Sequence, residues 1–258
     1  MITNGAISVL NAIPTGIGAG VGVELPFSVD INRGHCTKLF DSLSSQIINH
    51  VFGESTDSYC LHIESSIPQG VGLKSSSAYA AALIGEFARV TGRHLSEEEI
   101  CRRTAESSRE LGLSITGGFD DAMAAVFNGI AITDNTNNTL LKRISFQNTR
   151  VLISIPNLMR PAGIHSRLAV ADFSRALDLL LDGNIRECAV LNGRLVASSL
   201  GYNRAPLDLL KRLGSTMYGY SGNGPALFAA VGNGSYDRVK SYMQTIGTVY
   251  ETRLRGEI

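Results

Sequence analysis

Two hydrophobic periods divide this chain, one near 2 residues and one near 3.6. Ala6 to Ile13 is a run of apolar and small residues that suits a strand. Val23 to Ile31 suits a second strand, closed by Arg33-Gly34. Between them, Gly16, Gly18, Gly20 and Gly22 alternate with other residues. Their spacing fails the GxGxxG fingerprint. The stretch from Pro14 to Gly22 therefore reads as a turn with close backbone packing, or as a loop bordering a ligand. Leu39, Leu43, Ile47, Ile48 and Val51 recur at helical spacing, and Gly53 is a natural stop. Tyr59, Leu61 and Ile63 then alternate with Cys60, His62 and Glu64, so His62 reads as a sheet residue rather than a catalyst.

The stretch Ile67-Pro68-Gln69-Gly70-Val71-Gly72-Leu73-Lys74-Ser75-Ser76-Ser77-Ala78 feeds an alanine-rich helix that runs to Val90. Ser96 and Glu99 form a capping box at the start of the next helix, which Gly112 can close. Asp120 and Asp121 follow Gly117-Gly118 and precede an apolar run. They read either as first-turn acids that suit a helix dipole, or as one working carboxylate beside a structural one. Neighbouring side chains diverge, so only one is expected to face a site. Gly129 to Thr133 is a short strand, and Asp134 to Thr139 a polar stretch that reads as a hairpin or a loose turn.

Val151 to Pro156 is a strand that opens a second half, and Arg160 to Gly163 a loop. Ala169 to Leu181, Ile185 to Leu200, Pro206 to Leu213 and Ser235 to Ile246 have helical patterns. A glycine-rich turn, Ser221-Gly222-Asn223-Gly224, leads into the apolar strand from Leu227 to Val231, and Thr248 to Leu254 closes the chain as a strand. Strand and helix patterns are thus mixed along the chain.

Composition narrows the function classes. The 258 residues carry 23 basic and 23 acidic side chains. That balance argues against a nucleic-acid or membrane-surface partner. No basic n-region and apolar core of a signal peptide opens the chain, and no apolar run approaches the roughly 20 residues of a membrane span. The expectation is a cytoplasmic protein. Cys36, Cys60, Cys101 and Cys188 form no CxxC pair and read as reduced core thiols. The five histidines are scattered, none at ligand spacing from another.

The loop before the alanine-rich helix carries the chemistry. The first N–H groups of a helix lack intrahelical partners, and its dipole favours an anion there. Gly70 and Gly72 allow close backbone approach, Lys74 adds a charge, and the serines add hydroxyls for phosphate or a phosphate-bound metal. The stretch reads as a phosphate cradle. It is not a P-loop, because Leu73 stands between Gly72 and Lys74. Protein-kinase motifs and a GxSxG elbow are absent.

Pro68-x-x-x-Gly72-Leu73-x-Ser75-Ser76-x-Ala78 resembles the central motif of the GHMP small-molecule kinases. Ser221-Gly222-Asn223-Gly224-Pro225-Ala226 resembles their third motif, and Gly118-Phe119-Asp120-Asp121 falls where mevalonate-type members carry a catalytic aspartate. The Gly-Leu-Lys-Ser-Ser-Ser-Ala form, with Asn11-Ala12-Ile13-x-Thr15-Gly16-x-Gly18 and Thr116-Gly117-x-Phe119-Asp120-Asp121-Ala122, is similar to the archaeal-type shikimate kinases. Three departures stand out. Ile17 occupies a position where the family often has lysine, Glu24 one where aspartate is common, and Gly118 one where alanine is common.

The resemblance implies an α+β protein with the two-domain GHMP kinase fold, and the order of strands and helices is compatible with it. Residues 1–150 would resemble ribosomal protein S5 domain 2, and residues 151–258 would be ferredoxin-like, with the ligand cleft between them. It implies ATP phosphates on Pro68 through Ala78 and on Ser221 through Gly224. Ser76 would bind Mg²⁺ with an acidic partner from the following helix, Glu106 in preference to Glu110. Asp120 would act as base, with Lys74 beside the phosphates. The reaction implied is transfer of the ATP γ-phosphate to the 3-hydroxyl of shikimate, giving 3-phosphoshikimate and ADP. An arginine is expected at the substrate carboxylate, and Arg160 and Arg167 are both open. The rival readings are another GHMP kinase, such as homoserine kinase, and a non-catalytic ATP-binding regulator on the same fold.

Overall fold

The computed structural model describes residues 1–34, 40–158 and 160–256. The expectations at His35, Cys36 and Leu39 lie outside them. The element order is β1 (Ile2–Leu10), β2 (Ile17–Arg33), α1 (Ser42–Phe52), β3 (Tyr59–Ser65), α2 (Ser75–Val90), α3 (Glu97–Glu110), α4 (Phe119–Val126), β4 (Ile130–Asp134) and β5 (Thr139–Ile144). There follow β6 (Arg150–Pro156), α5 (Ile164–Ala169), α6 (Ser174–Leu181), α7 (Ile185–Leu200), α8 (Ala205–Arg212), β7 (Met217–Tyr220), β8 (Leu227–Val231), α9 (Tyr236–Gln244) and β9 (Gly247–Arg253).

The strands form two antiparallel sheets. The first runs β1-β2-β4-β5, with β3 paired to the far end of the long β2, and the second runs β7-β8-β6-β9. Helices α2 and α4 pack on β1 and β2, while α1 and α3 pack on α2. Helices α6 and α7 from the second half also reach β1. The largest hydrophobic core runs from Ile7 to Leu254 without a break between the halves. After β9 the chain returns to the first sheet. Val23 bridges Leu254, Arg255 N donates to Gly22 O at 2.8 Å, and Gly129 N donates to Arg255 O at 2.7 Å.

Local sequence explains most of these elements. Asp41 caps α1 by accepting from Ser44 N, and Gly53 ends it in the left-handed conformation. Ser96 caps α3 through Glu99 N. Helix α2 has small or apolar residues on every side, and positions 80 through 88 are all buried. That is the signature of a helix enclosed by other elements. Burying Leu83, Ile84 and Phe87 there contributes about 1.5–3 kcal/mol each.

The glycine run differs from the turn expected of it. Residues 17–22 are the first part of β2, paired to both β1 and β4. Their alternate glycines lie against α4. A methyl group on Gly18 would come within 2.5 Å of Asp120 Cγ, one on Gly20 would reach Ala124 Cβ at 3.0 Å, and one on Gly22 would reach Ala124 O at 2.7 Å. The strand has lost one row of side chains so that a helix can lie directly on its backbone. The hairpin reading of residues 134–139 holds, with β4 and β5 paired across it, although the mixed polar pattern of β5 does not itself mark a strand. Its pairing with β4 supplies what its hydrophobicity does not. The thiol expectation holds for Cys101 and Cys188, which are buried and free, whereas Cys60 on β3 is disulfide-bonded. Among the described residues no helix is long and apolar enough to cross a membrane.

Gly22→Ala is expected to destabilise the fold by about 1–3 kcal/mol, because the new methyl must displace helix backbone. The melting temperature should fall by about 2–4 °C for each kcal/mol. Gly232→Ala, where a methyl meets nothing within 4 Å, serves as the control and should melt near wild type.

Candidate active site

Two helices begin at one cleft. Helix α2 starts after Lys74 and helix α4 after Gly118, and both of these N-cap residues are left-handed. No side chain caps α2, so the N–H groups of Ser75, Ser76 and Ser77 are left without a helical or capping partner at the cleft wall. The cleft encloses about 340 Å³. It is lined by Gly70, Gly72, Lys74 and Ser75–Ser77 on one side, by 112–116, Asp120 and Asp121 on another, and by Asn11–Ile13, Asn223 and Arg160.

The loop before α2 is pinned on both flanks. Ala6 N donates to Leu73 O at 3.1 Å, and Ala226 N donates to Val71 O at 3.0 Å. Ser221 Oγ donates to Gly72 O at 2.8 Å. Gly72 is needed at that contact, because its φ is +94° and a Cβ would fall 2.2 Å from Ser221 O. Asn11 Nδ2 donates to Gly222 O at 3.3 Å and to Asn223 Oδ1 at 3.0 Å, and Tyr202 OH donates to Asn223 O at 2.9 Å. The turn from Ser221 to Gly224 thereby braces the loop, and of its residues Asn223 lines the cleft.

Charge gathers where the helices meet. Lys74 Nζ lies 2.6 Å from Asp121 Oδ1. Burial alone would lower the Lys74 pKa, but Asp121 and Asp120 outweigh it and hold the ammonium above its ordinary value. Asp120 is 3% exposed. Burial, then the charge of Asp121, push its carboxyl up to about 7, against the opposite pull of Lys74 and of a hydrogen bond from Asn135. That bond, from Asn135 Nδ2 to Asp120 Oδ1, is 2.6 Å long, and Asn135 Oδ1 accepts the Asp120 N–H at 3.1 Å.

The structure brings most of the expected residues together. Gly70, Gly72, Lys74, Ser75, Ser76, Ser77, Asn223 and Asp120 meet at the cleft. Pro68, Gln69, Val71, Leu73 and Ala78 do not line it, and Leu73 and Ala78 are buried in the core. Both aspartates face the cleft, contrary to the expectation that only one would. At the start of a helix the first-turn side chains fan around the N-terminus, and here a partner waits on each side. Glu106 and Glu110 are exposed on α3 and do not line the cleft. Arg160 lines it, and its Nε donates to Gly224 O at 3.0 Å. Arg167 does not line it, and its Nη1 donates to Leu200 O instead. Sequence reading missed Asn135, hidden in a polar turn, and the exposed apolar pair Leu113 and Ile115 at the cleft edge.

An uncapped helix start beside a part-buried cluster of Lys74, Asp120 and Asp121 is a site suited to phosphoryl transfer. Comparison with known proteins agrees with that class. Residues 42–129 match the family model described as the GHMP kinases N terminal domain. The chain is 31% identical to a shikimate kinase of Thermoplasma acidophilum over 88% of its own length and 84% of that protein. It is 31% identical to the shikimate kinase of Pyrococcus furiosus and 32% identical to that of Pyrococcus abyssi, each over 97% of both chains. Among solved structures it is similar to the Methanococcus jannaschii mevalonate kinase, with a TM-score of 0.77 at 12% identity over 100% of this chain and 98% of that one. A putative homoserine kinase from Listeria monocytogenes gives a TM-score of 0.72 at 18% identity over 99% and 96%. The chain belongs to the GHMP kinases, and its two sheets adopt their fold.

The raised Asp120 pKa gives a stability prediction with a definite sign. Between 3.8, the ordinary aspartate value, and about 7, the folded chain holds a proton that the unfolded chain has released. Stability from this group is therefore lost as pH rises through that window. Asp120→Asn should raise the melting temperature at pH 8, and the gain should shrink at pH 4. Thermal melts of both proteins across that range provide the check.

Proposed function

We propose that this protein is a shikimate kinase, transferring the γ-phosphate of ATP to the 3-hydroxyl of shikimate to give 3-phosphoshikimate and ADP. The observation that carries the reading is the meeting of Lys74, Asp120 and the uncapped start of α2 in one cleft. The relatives named shikimate kinase, matched over nearly the whole chain, support the choice of acceptor. The solved mevalonate and homoserine kinases share the fold at low identity and do not discriminate between acceptors.

Each group then has a task. The free N–H groups of Ser75–Ser77 and the Lys74 ammonium hold the polyphosphate of ATP. Asp120 takes the proton of the attacking hydroxyl, and a carboxyl titrating near neutrality is matched to that task. Arg160 meets the substrate carboxylate, being the one of the two expected arginines that lines the cleft. The hydroxyls of Ser75–Ser77 are hard oxygen donors suited to Mg²⁺, with Ser76 as the family position. Among the described residues there is no cluster of three acidic, histidine or cysteine side chains to cage the ion. Mg²⁺ keeps several waters and takes substrate phosphate oxygens as ligands, so such hydroxyls would complete its shell. Once bound, it would offset the negative charge of the phosphates. Glu106, the acidic partner that the resemblance implies, does not line the cleft. The reading places the protein in the cytoplasm, acting on small molecules, with residues 1–150 and 151–258 as its two domains.

Ile17 favours a second reading. It stands where the family often carries lysine and does not line the cleft, which is what a non-catalytic ATP-binding regulator would tolerate. Lys74 supplies a cation beside the aspartates and weighs the other way.

Purified protein with Mg-ATP should phosphorylate shikimate and leave homoserine, mevalonate and galactose unmodified. Turnover of one of the others in its place would reassign the acceptor. ATP binding with no phosphorylated product would favour the regulator. Arg160→Ala should raise the KM for shikimate about ten- to a hundredfold, the range for losing a hydrogen bond to a charged group, with little change in the KM for ATP. An unchanged KM for shikimate would remove Arg160 from that role.

A further inference from the structure

Asp120 is held from behind by a residue outside the three motifs. Asn135 follows β4 and is 1% exposed. Its carboxamide is used at both ends. Oδ1 accepts the Asp120 N–H at 3.1 Å and the Thr133 hydroxyl at 2.7 Å, while Nδ2 donates to Asp120 Oδ1 at 2.6 Å. Two acceptances on Oδ1 fix which end of the amide is nitrogen, so the donor faces the carboxylate. The far side of that carboxylate abuts β2. A Cβ on Gly18 would lie 2.6 Å from Asp120 Oδ2. Asn135 is itself anchored, because Arg109 Nη2 donates to Asn135 O at 2.6 Å and to Thr116 O at 3.0 Å. One guanidinium thus ties the segment bearing Asn135 to the segment that leads into α4.

We propose that Asn135 is the positioning residue for Asp120, fixing the rotation of the carboxylate by tying Oδ1 to the amide while the missing side chain of Gly18 leaves room for Oδ2, so that the carboxyl keeps one orientation at the cleft it lines. The proposal rests on the reading of Asp120 as the base. The charged groups around Asp120 are Asp121 on its own helix and Lys74 from the start of α2, with Arg160 acting on Lys74 across the cleft. From β2 and the β4 end the neighbours Gly18, Thr133 and Asn135 are uncharged. Asn135 is therefore the neutral donor that sets the carboxylate's direction without changing the charge of the site.

The test is a double-mutant cycle on shikimate phosphorylation with Asn135→Ala, Asp120→Asn and the pair. Asn135→Ala should lower kcat about ten- to a hundredfold, the scale of a misplacement near 1 Å, and leave the KM for ATP unchanged. Asp120→Asn should lower kcat about 10²–10⁴-fold. Adding Asn135→Ala to Asp120→Asn should cost less than a further twofold, because the group it positions is already gone. The same loss in both backgrounds would make Asn135 merely structural and overturn the proposal. Wild-type kcat in Asn135→Ala with Asp120→Asn inactive would overturn it too, while leaving the base in place. Wild-type kcat in Asp120→Asn would overturn the base reading and the proposal together. If Asn135→Ala does not fold, Asn135→Asp keeps the acceptor for the Asp120 N–H and loses the donor. Its kcat should fall and its acidic pH–rate limb should move to higher pH. An unmoved limb with wild-type kcat would overturn the proposal.

Discussion

The structure depends on bringing two helix N-termini to the same cleft. Each carries a partial positive charge, and at α4 Asn135 Oδ1 takes up the Asp120 N–H. At the start of α4 the sequence places Asp120 and Asp121, and at the start of α2 it leaves the N–H groups bare. Lys74 stands between them and pairs with Asp121 at 2.6 Å. Its backbone is left-handed, with φ of +63°. For a residue with a Cβ that costs about 1–3 kcal/mol and persists where the surroundings fix it. The surroundings here are the bonds from Ala6, Ser221 and Ala226 to the preceding loop. The long β2, its row of glycines and the returning C-terminal segment all serve to set α4 against that loop.

The same arrangement sets stability against function. Asp120 is withdrawn from water beside Asp121, which is costly for a carboxylate, while Lys74 and Asp121 pair in the part-exposed wall of the cleft. The Asp120 carboxyl accordingly binds a proton up to about 7. A carboxyl of ordinary acidity would be a poor base near neutrality, so the burial that weakens the fold is also what suits Asp120 to accept a proton.

Elements whose signal is local were legible in the sequence. The caps at Ser96 and Gly53, the strand alternation at Tyr59–Ile63 and the loop before α2 appear where local patterning puts them. What failed depended on partners distant in the chain. Gly18, Gly20 and Gly22 read as a turn because a glycine-rich strand makes sense only once α4 lies on it. Strand β5 by contrast follows from the hairpin reading of residues 134–139, not from its own pattern. Asn135 sits in a stretch of Asn and Thr that any surface turn would use, and nothing in that stretch marks it as buried. The motif resemblance drew attention to the loop before α2 and to Asp120, which line one cleft, but it could not say which of Arg160 and Arg167 lines it, or that Glu106 does not.

The central claim is that the cleft binds ATP and performs its chemistry through Asp120. Parallel measurement of ATP affinity by calorimetry and of shikimate turnover for Asp120→Asn tests it most directly. The account predicts ATP affinity close to wild type with turnover reduced about 10²–10⁴-fold. Turnover within a few-fold of wild type, or loss of ATP binding in step with turnover, would contradict it.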